Sequence, residues 1–84
     1  KAKTVQSKLD IRGITANEVG IEVEKYLDDA SLAGLSIVTI VHGKGNGILR
    51  KAVDRILATH PLVESYHIGG LKEGGDGATV VHLG

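Results

Sequence analysis

Eighty-four residues, with ten acidic and ten basic side chains and no cysteine, phenylalanine, tryptophan or methionine, describe one small domain with an aliphatic core. The absence of thiols excludes a disulfide framework, a thiolate metal site and a cysteine nucleophile. No apolar run approaches the roughly 18 residues of a membrane span, no signal-peptide pattern opens the chain, and a zero net charge argues against a generic polyanion binder.

The charge is nevertheless uneven. Residues 1–15 carry a surplus of +3 and residues 40–55 another +3, while residues 16–35 carry −4 and the remainder −2. Twenty-six isoleucine, leucine and valine residues suffice for a two-layer α/β core, at about 2 kcal/mol for each side chain fully buried. The chain opens on Lys1 rather than methionine, and a domain excised from a longer protein is expected, with residues 1–7 as linker and the start of the first strand and the domain proper over 8–84.

Val5 to Ile11 alternates apolar and polar residues as a strand does, and Gly13 ends it. Thr15-Ala16-Asn17-Glu18 fits a capping box, with Ile14 and Val19 at the positions of a hydrophobic staple. Ala16, Val19, Gly20, Val23, Tyr26, Leu27 and Ala30 then recur at helical spacing, and Gly34 is the expected C-cap. Ile37-Val38-Thr39-Ile40-Val41 is an unbroken β-branched run that suits a strand buried on both sides. After a glycine-rich turn, Ile48, Leu49, Ala52, Val53, Ile56 and Leu57 mark a second helix, stopped by Pro61. Val63–Ile68 reads as a weaker strand. Gly69 to Gly77, with five glycines in nine residues, reads as a flexible loop, and Ala78–Leu83 as a last strand. The order βαβαββ predicts an α+β two-layer sandwich, a mixed four-stranded sheet with two helices mainly on one face.

Two constellations carry chemistry. In His42-Gly43-Lys44-Gly45-Asn46-Gly47 a strand passes directly into a helix. Such a turn presents backbone amides and a helix dipole to an anion, Lys44 adds a cation, and His42 adds a group that titrates near neutral pH. Arg50 and Lys51 extend the positive charge into the helix. The glycine spacing matches neither the dinucleotide fingerprint nor the P-loop, so both nucleotide-binding readings are rejected. Glycines that only make a tight turn remain the plain alternative. The second constellation is Asp10 and Arg12, on one parity at the carboxyl end of the first strand and hence beside His42 in a parallel pair. Arg12 is suited to clamp a phosphate. Asp10 has three roles open: orienting Arg12 or His42, binding a metal, or acting as a base. An ordinary edge ion pair is the competing reading. His60, at the end of the second helix, is expected to interact with its dipole. His67 and His82 are expected in strands, and four histidines without metal-ligand spacing do not suggest zinc.

Leu9-Asp10-Ile11-Arg12-Gly13, then His42 to Arg50, then Gly75-Asp76-Gly77-Ala78-Thr79-Val80-Val81 occur in that order, and together they resemble the Smr (small MutS-related) domain that ends bacterial MutS-II proteins. The resemblance runs from about residue 8 to the end. It implies a sheet of order 1-2-4-3 with strand 4 antiparallel, as in the C-terminal domain of translation initiation factor 3. It also implies binding of DNA or RNA and, in several members, endonuclease or nicking activity. Its LDxR and HGxG motifs fall on Leu9, Asp10 and Arg12 and on His42, Gly43 and Gly45, with Asn46 where threonine is common and acceptable as a helix cap. On this resemblance Asp10, Arg12 and His42 are the expected catalytic residues. Gly43, Lys44, Gly45, Asn46, Gly47, Arg50 and Lys51 are the expected phosphate-binding ones. The expected cofactor is none or one divalent ion (Mg or Mn), with Asp10 the one carboxylate placed to meet it. The implied setting is a cytoplasmic MutS-type ATPase that dimerises and acts in recombination suppression or on stalled ribosomes. A non-catalytic docking module using the same anion site is the alternative.

Overall fold

The computed structural model describes residues 5–45, 47–70 and 75–84, with the side chain of Asp76 excepted. Strands β1 (Lys8–Asp10), β2 (Ile37–Val41), β3 (Val63–Ile68) and β4 (Ala78–Leu83) alternate with helices α1 (Ala16–Leu32) and α2 (Ile48–Thr59), and a 3-10 turn at Gly75–Gly77 leads into β4. The sheet order is β1-β2-β4-β3. β1 and β2 are parallel, and β4 runs antiparallel to both β2 and β3. This is the expected two-layer fold and topology.

The first strand is shorter than its alternation suggested. Ladder pairing covers Lys8–Asp10, with single bonds from the Thr39 amide to the Ser7 carbonyl and from the Ile11 amide to the Val41 carbonyl at its ends. An edge strand has one neighbour, so its length is set by how far that neighbour runs alongside.

α1 begins at the expected capping box. The Glu18 carboxylate accepts from both the amide and the hydroxyl of Thr15, at 3.1 and 3.0 Å, which lowers the pKa of Glu18 through these hydrogen bonds. Its end lies one residue earlier than Gly34. Ala33 is the C-cap and Gly34 follows at φ +82°. The Leu35 and Gly34 amides close back on the carbonyls of Ala30 and Ser31 at 3.0 and 3.1 Å, a Schellman arrangement.

Both helices pack on one face of the sheet. Val19, Val23, Leu27 and Ala30 of α1 and Val53 and Leu57 of α2 meet Val38, Ile40, Val81 and Leu83 in a single core. Gly20 faces α2, with Ile56 at ordinary contact distance, 3.9 Å, from where a Cβ would stand. Ala16, expected on the inner face, is exposed in the first turn.

β2 is therefore not buried on both sides. Val38 and Ile40 lie under the helices, whereas Ile37 is 53% exposed and Thr39 and Val41 are half-buried. The β-branched run reports strand propensity, not two-sided cover. The strand enclosed most completely is β4, central in the sheet and buried from Ala78 to Val81.

Candidate functional site

The parallel pairing of β1 with β2 sets Asp10 opposite Val41, so the chain leaving β1 meets the turn that leaves β2. Arg12 lies over that turn: a Cβ on Gly43 would sit 3.5 and 3.6 Å from Cγ and Cδ of Arg12. The two constellations thus form one site.

Asp10 and Arg12 are tightly joined. Arg12 donates from Nε at 3.0 Å and from its backbone amide at 2.9 Å to Oδ1, and from Nη2 at 2.7 Å to Oδ2. These hydrogen bonds hold the Asp10 carboxyl at about 2, well below the usual carboxylate range, and raise the pKa of Arg12 in return. The pair is open to solvent, with side chains 48% and 63% exposed. A carboxylate so held is a poor proton acceptor at neutral pH, and its oxygens face a guanidinium. Of the three roles open to Asp10, orienting Arg12 is the one its contacts match. A divalent ion does not fit here, and no group of three histidine or carboxylate side chains among the described residues is arranged to hold one.

His42 is the surprise of the site: it is only 4% exposed. Its Nδ1 lies 3.1 Å from the Gly43 carbonyl and its Nε2 2.8 Å from the Thr79 hydroxyl. A carbonyl can only accept, so in the neutral ring the proton sits on Nδ1 and Nε2 accepts from Thr79. Both ring nitrogens are engaged, Nδ1 within the turn and Nε2 in holding it to β4. Thr79 itself is fully buried, and its part was missed in the sequence. A threonine in a β-branched strand gives no local sign of a partner 37 positions away.

The turn is also pinned through its backbone. The Gly77 carbonyl accepts from the amides of His42 and Gly43 at 2.9 and 2.8 Å. These two amides are therefore unavailable to an anion, contrary to the simple picture of a turn full of unpaired donors. A Cβ on Gly77 would lie 3.3 Å from Lys44 Cγ and 3.5 Å from the Gly43 carbonyl carbon, so the backbone before β4 packs closely against the turn. The third sequence motif thereby acquires a role, as the backing of the turn.

What remains for an anion is the far side of the turn. Lys44 and Gly45 are exposed, and α2 starts with Gly47 as its N-cap at φ +81°. Asn46, the expected cap, lies outside the described residues. Arg50 and Lys51 are exposed in the first turn of α2. Of the other histidines, His60 caps α2, and its Nδ1 accepts from the Leu62 amide at 3.2 Å. His67 and His82 lie in β3 and β4, as expected, with ring centroids 5.6 Å apart. No helix among the described residues is long and apolar enough to cross a membrane.

The Smr domain family model matches residues 9–84. Relatives named Endonuclease MutS2 include that of Clostridium beijerinckii, 54% identical over 79 residues, and that of Pelotomaculum thermopropionicum, 54% identical over 83 residues. The matches take in 94% and 99% of the chain but only 10% and 11% of those proteins. The crystal structure of the Smr domain of Thermus thermophilus MutS2 superposes with a TM-score of 0.88 at 42% identity, covering 92% of this chain and 96% of that one. YdaL, a stand-alone small MutS-related protein from Escherichia coli, gives a TM-score of 0.88 at 30% identity, over 95% of this chain and 66% of its own. Sequence, topology and the three ordered motifs agree, and the chain belongs to the Smr domain family.

Proposed function

We propose that this domain binds the phosphodiester backbone of DNA or RNA at the junction of β1, the glycine turn and α2, as the working module of a larger nuclease. The observation that carries this reading is Arg12, a guanidinium oriented by Asp10 and laid across Gly43. Its Nη1 makes no hydrogen bond among the described residues and is suited to a phosphate oxygen. Lys44, the first turn of α2, Arg50 and Lys51 continue the positive surface. The relatives' name, Endonuclease MutS2, supports cleavage. In that reaction water attacks phosphorus as the P–O bond to one sugar oxygen breaks, that oxygen leaves with the bonding pair and takes up the proton the water releases, and Arg12 and Lys44 offset the charge that develops on the phosphoryl oxygens. Asp10 acts by holding Arg12, and His42 by holding the turn. A larger MutS-type protein in the cytoplasm, dimeric through its other parts, would bring this site to branched DNA or to stalled ribosomes.

The docking reading has a specific observation in its favour: neither Asp10 nor His42 is placed as an open proton acceptor. Binding and cleavage of supercoiled plasmid, branched DNA and structured RNA separate the two, with and without chelator. Arg12→Ala and Lys44→Ala are expected to weaken binding about tenfold each, the scale of one charge-assisted contact. Cleavage should fall at least as far with Arg12→Ala. If stringently purified wild-type and variant proteins leave the same trace of cleavage, the nuclease reading fails and docking stands. If binding is unchanged in both variants, the site itself is wrong.

A further inference from the structure

The helices cover one face of the sheet, and the other face is uncovered by any described helix. Cross-strand register identifies what lies there. Ile37, His82 and Ser65 form one row, and Lys8, Thr39, Val80 and His67 form the next. The row nearest the site contains Asp10 and Val41, so this face runs without interruption into the Asp10–Arg12 pair. Tyr26 and Tyr66 pack with the core on the helix side. His67 and His82 place two rings side by side on the open face, tilted by 32°. His67, Lys8 and Ser65 are exposed, and His82, Thr39 and Val41 are half-buried.

We infer that this open sheet face is a platform for single-stranded nucleic acid, with bases stacked on His67 and His82 and the backbone led past Lys8 to Arg12. The inference rests on the phosphodiester reading above and extends it to a substrate form. A nucleobase is a flat apolar surface with polar edges. Val80 is buried at the centre of the face, and the face offers its counterpart around it, with Val41 and Ile37 among hydroxyls, imidazoles and an ammonium. Histidine rings stack on unpaired bases. Four strands span three spacings, about 14 Å, which is room for the two or three bases that four-stranded sheets accept. Bases inside a duplex are already stacked on one another and cannot reach the rings. The cations Lys8 and Arg12 flank the path, and the charge of Asp10 is matched by Arg12, so a polyanion is not repelled.

The test is fluorescence anisotropy of labelled single-stranded DNA and RNA oligonucleotides, and of the duplex of the same sequence, with the 84-residue chain. Variants are His67→Ala, His82→Ala, His67→Phe, His82→Phe and Arg12→Ala, each checked for an intact amide NMR spectrum. The expected result is tighter binding of single strands than of duplex. Each alanine should weaken it about tenfold, as loss of one stacked base does, and each phenylalanine should restore it. The DNA and RNA arms identify which strand is preferred. Unchanged affinity in all four histidine variants, with loss in Arg12→Ala, overturns the platform and leaves the phosphodiester site standing. Equal binding of duplex and single strand also overturns it. Self-association that His67→Ala abolishes, without an effect on oligonucleotides, would assign the face to a second copy instead. No binding of any oligonucleotide by the wild-type chain removes both readings together.

Discussion

Asp10 titrates against a guanidinium that its own strand end supplies, and this sets a measurable signature. The carboxyl should titrate at about 2 in a pH series of carbon-13 spectra, and Arg12→Ala should return it toward 3.8. Because the folded pKa lies below the unfolded one, the pair's contribution to stability is complete above about pH 4 and fades as pH falls toward 2. A second test concerns His42. Thr79→Val removes the hydroxyl that serves Nε2 and leaves a buried ring nitrogen unpaired. A cost of about 1–3 kcal/mol in urea unfolding is expected, together with loosening of the turn visible in the amide spectra of Gly43 and Lys44. If His42 were instead an exposed base, Thr79→Val would leave both untouched.

At the scale of elements, the two helices differ in how they are closed. α1 has a capping box at one end and a Schellman turn at the other, both formed by residues adjacent in sequence. Gly34→Ala is expected to cost about 1–2 kcal/mol, because its φ of +82° is unfavourable for a side chain although the space around it is open. A loss below about 0.3 kcal/mol would show that the turn simply re-forms elsewhere, as uncritical surface positions allow. α2, by contrast, starts on a bare glycine.

At the scale of the whole molecule, Tyr26 ties α1 to the chain entering the sheet. Its hydroxyl donates to the Gln6 carbonyl, and its ring packs in the core. Burial pushes its pKa from 10.0 up to about 12. The unfolded chain therefore ionises first, and stability should fall as pH rises from about 10 to 12. Tyr26→Phe should flatten that decline in urea titrations followed across this range. A decline of equal steepness in the variant would place the alkaline weakness elsewhere.

The sequence by itself determined the elements and their order and brought the residues of the proposed site to notice, because these rest on local signals. Thr15 and Glu18 are three residues apart, the β2 run is continuous, and Asp10 and Arg12 share a strand end. The short-range chemistry was legible. The tertiary structure alone decided which face of β2 is covered, since the choice depends on both helices crossing to the same side. It decided that Gly77 takes up the amides of His42 and Gly43, and that Thr79 closes the second nitrogen of His42. Those partners meet because β4 inserts between β2 and β3, bringing residues more than thirty positions apart into register. An antiparallel insertion of that kind leaves no periodic trace in either segment, so a histidine that looked free in the sequence is a buried brace in the fold.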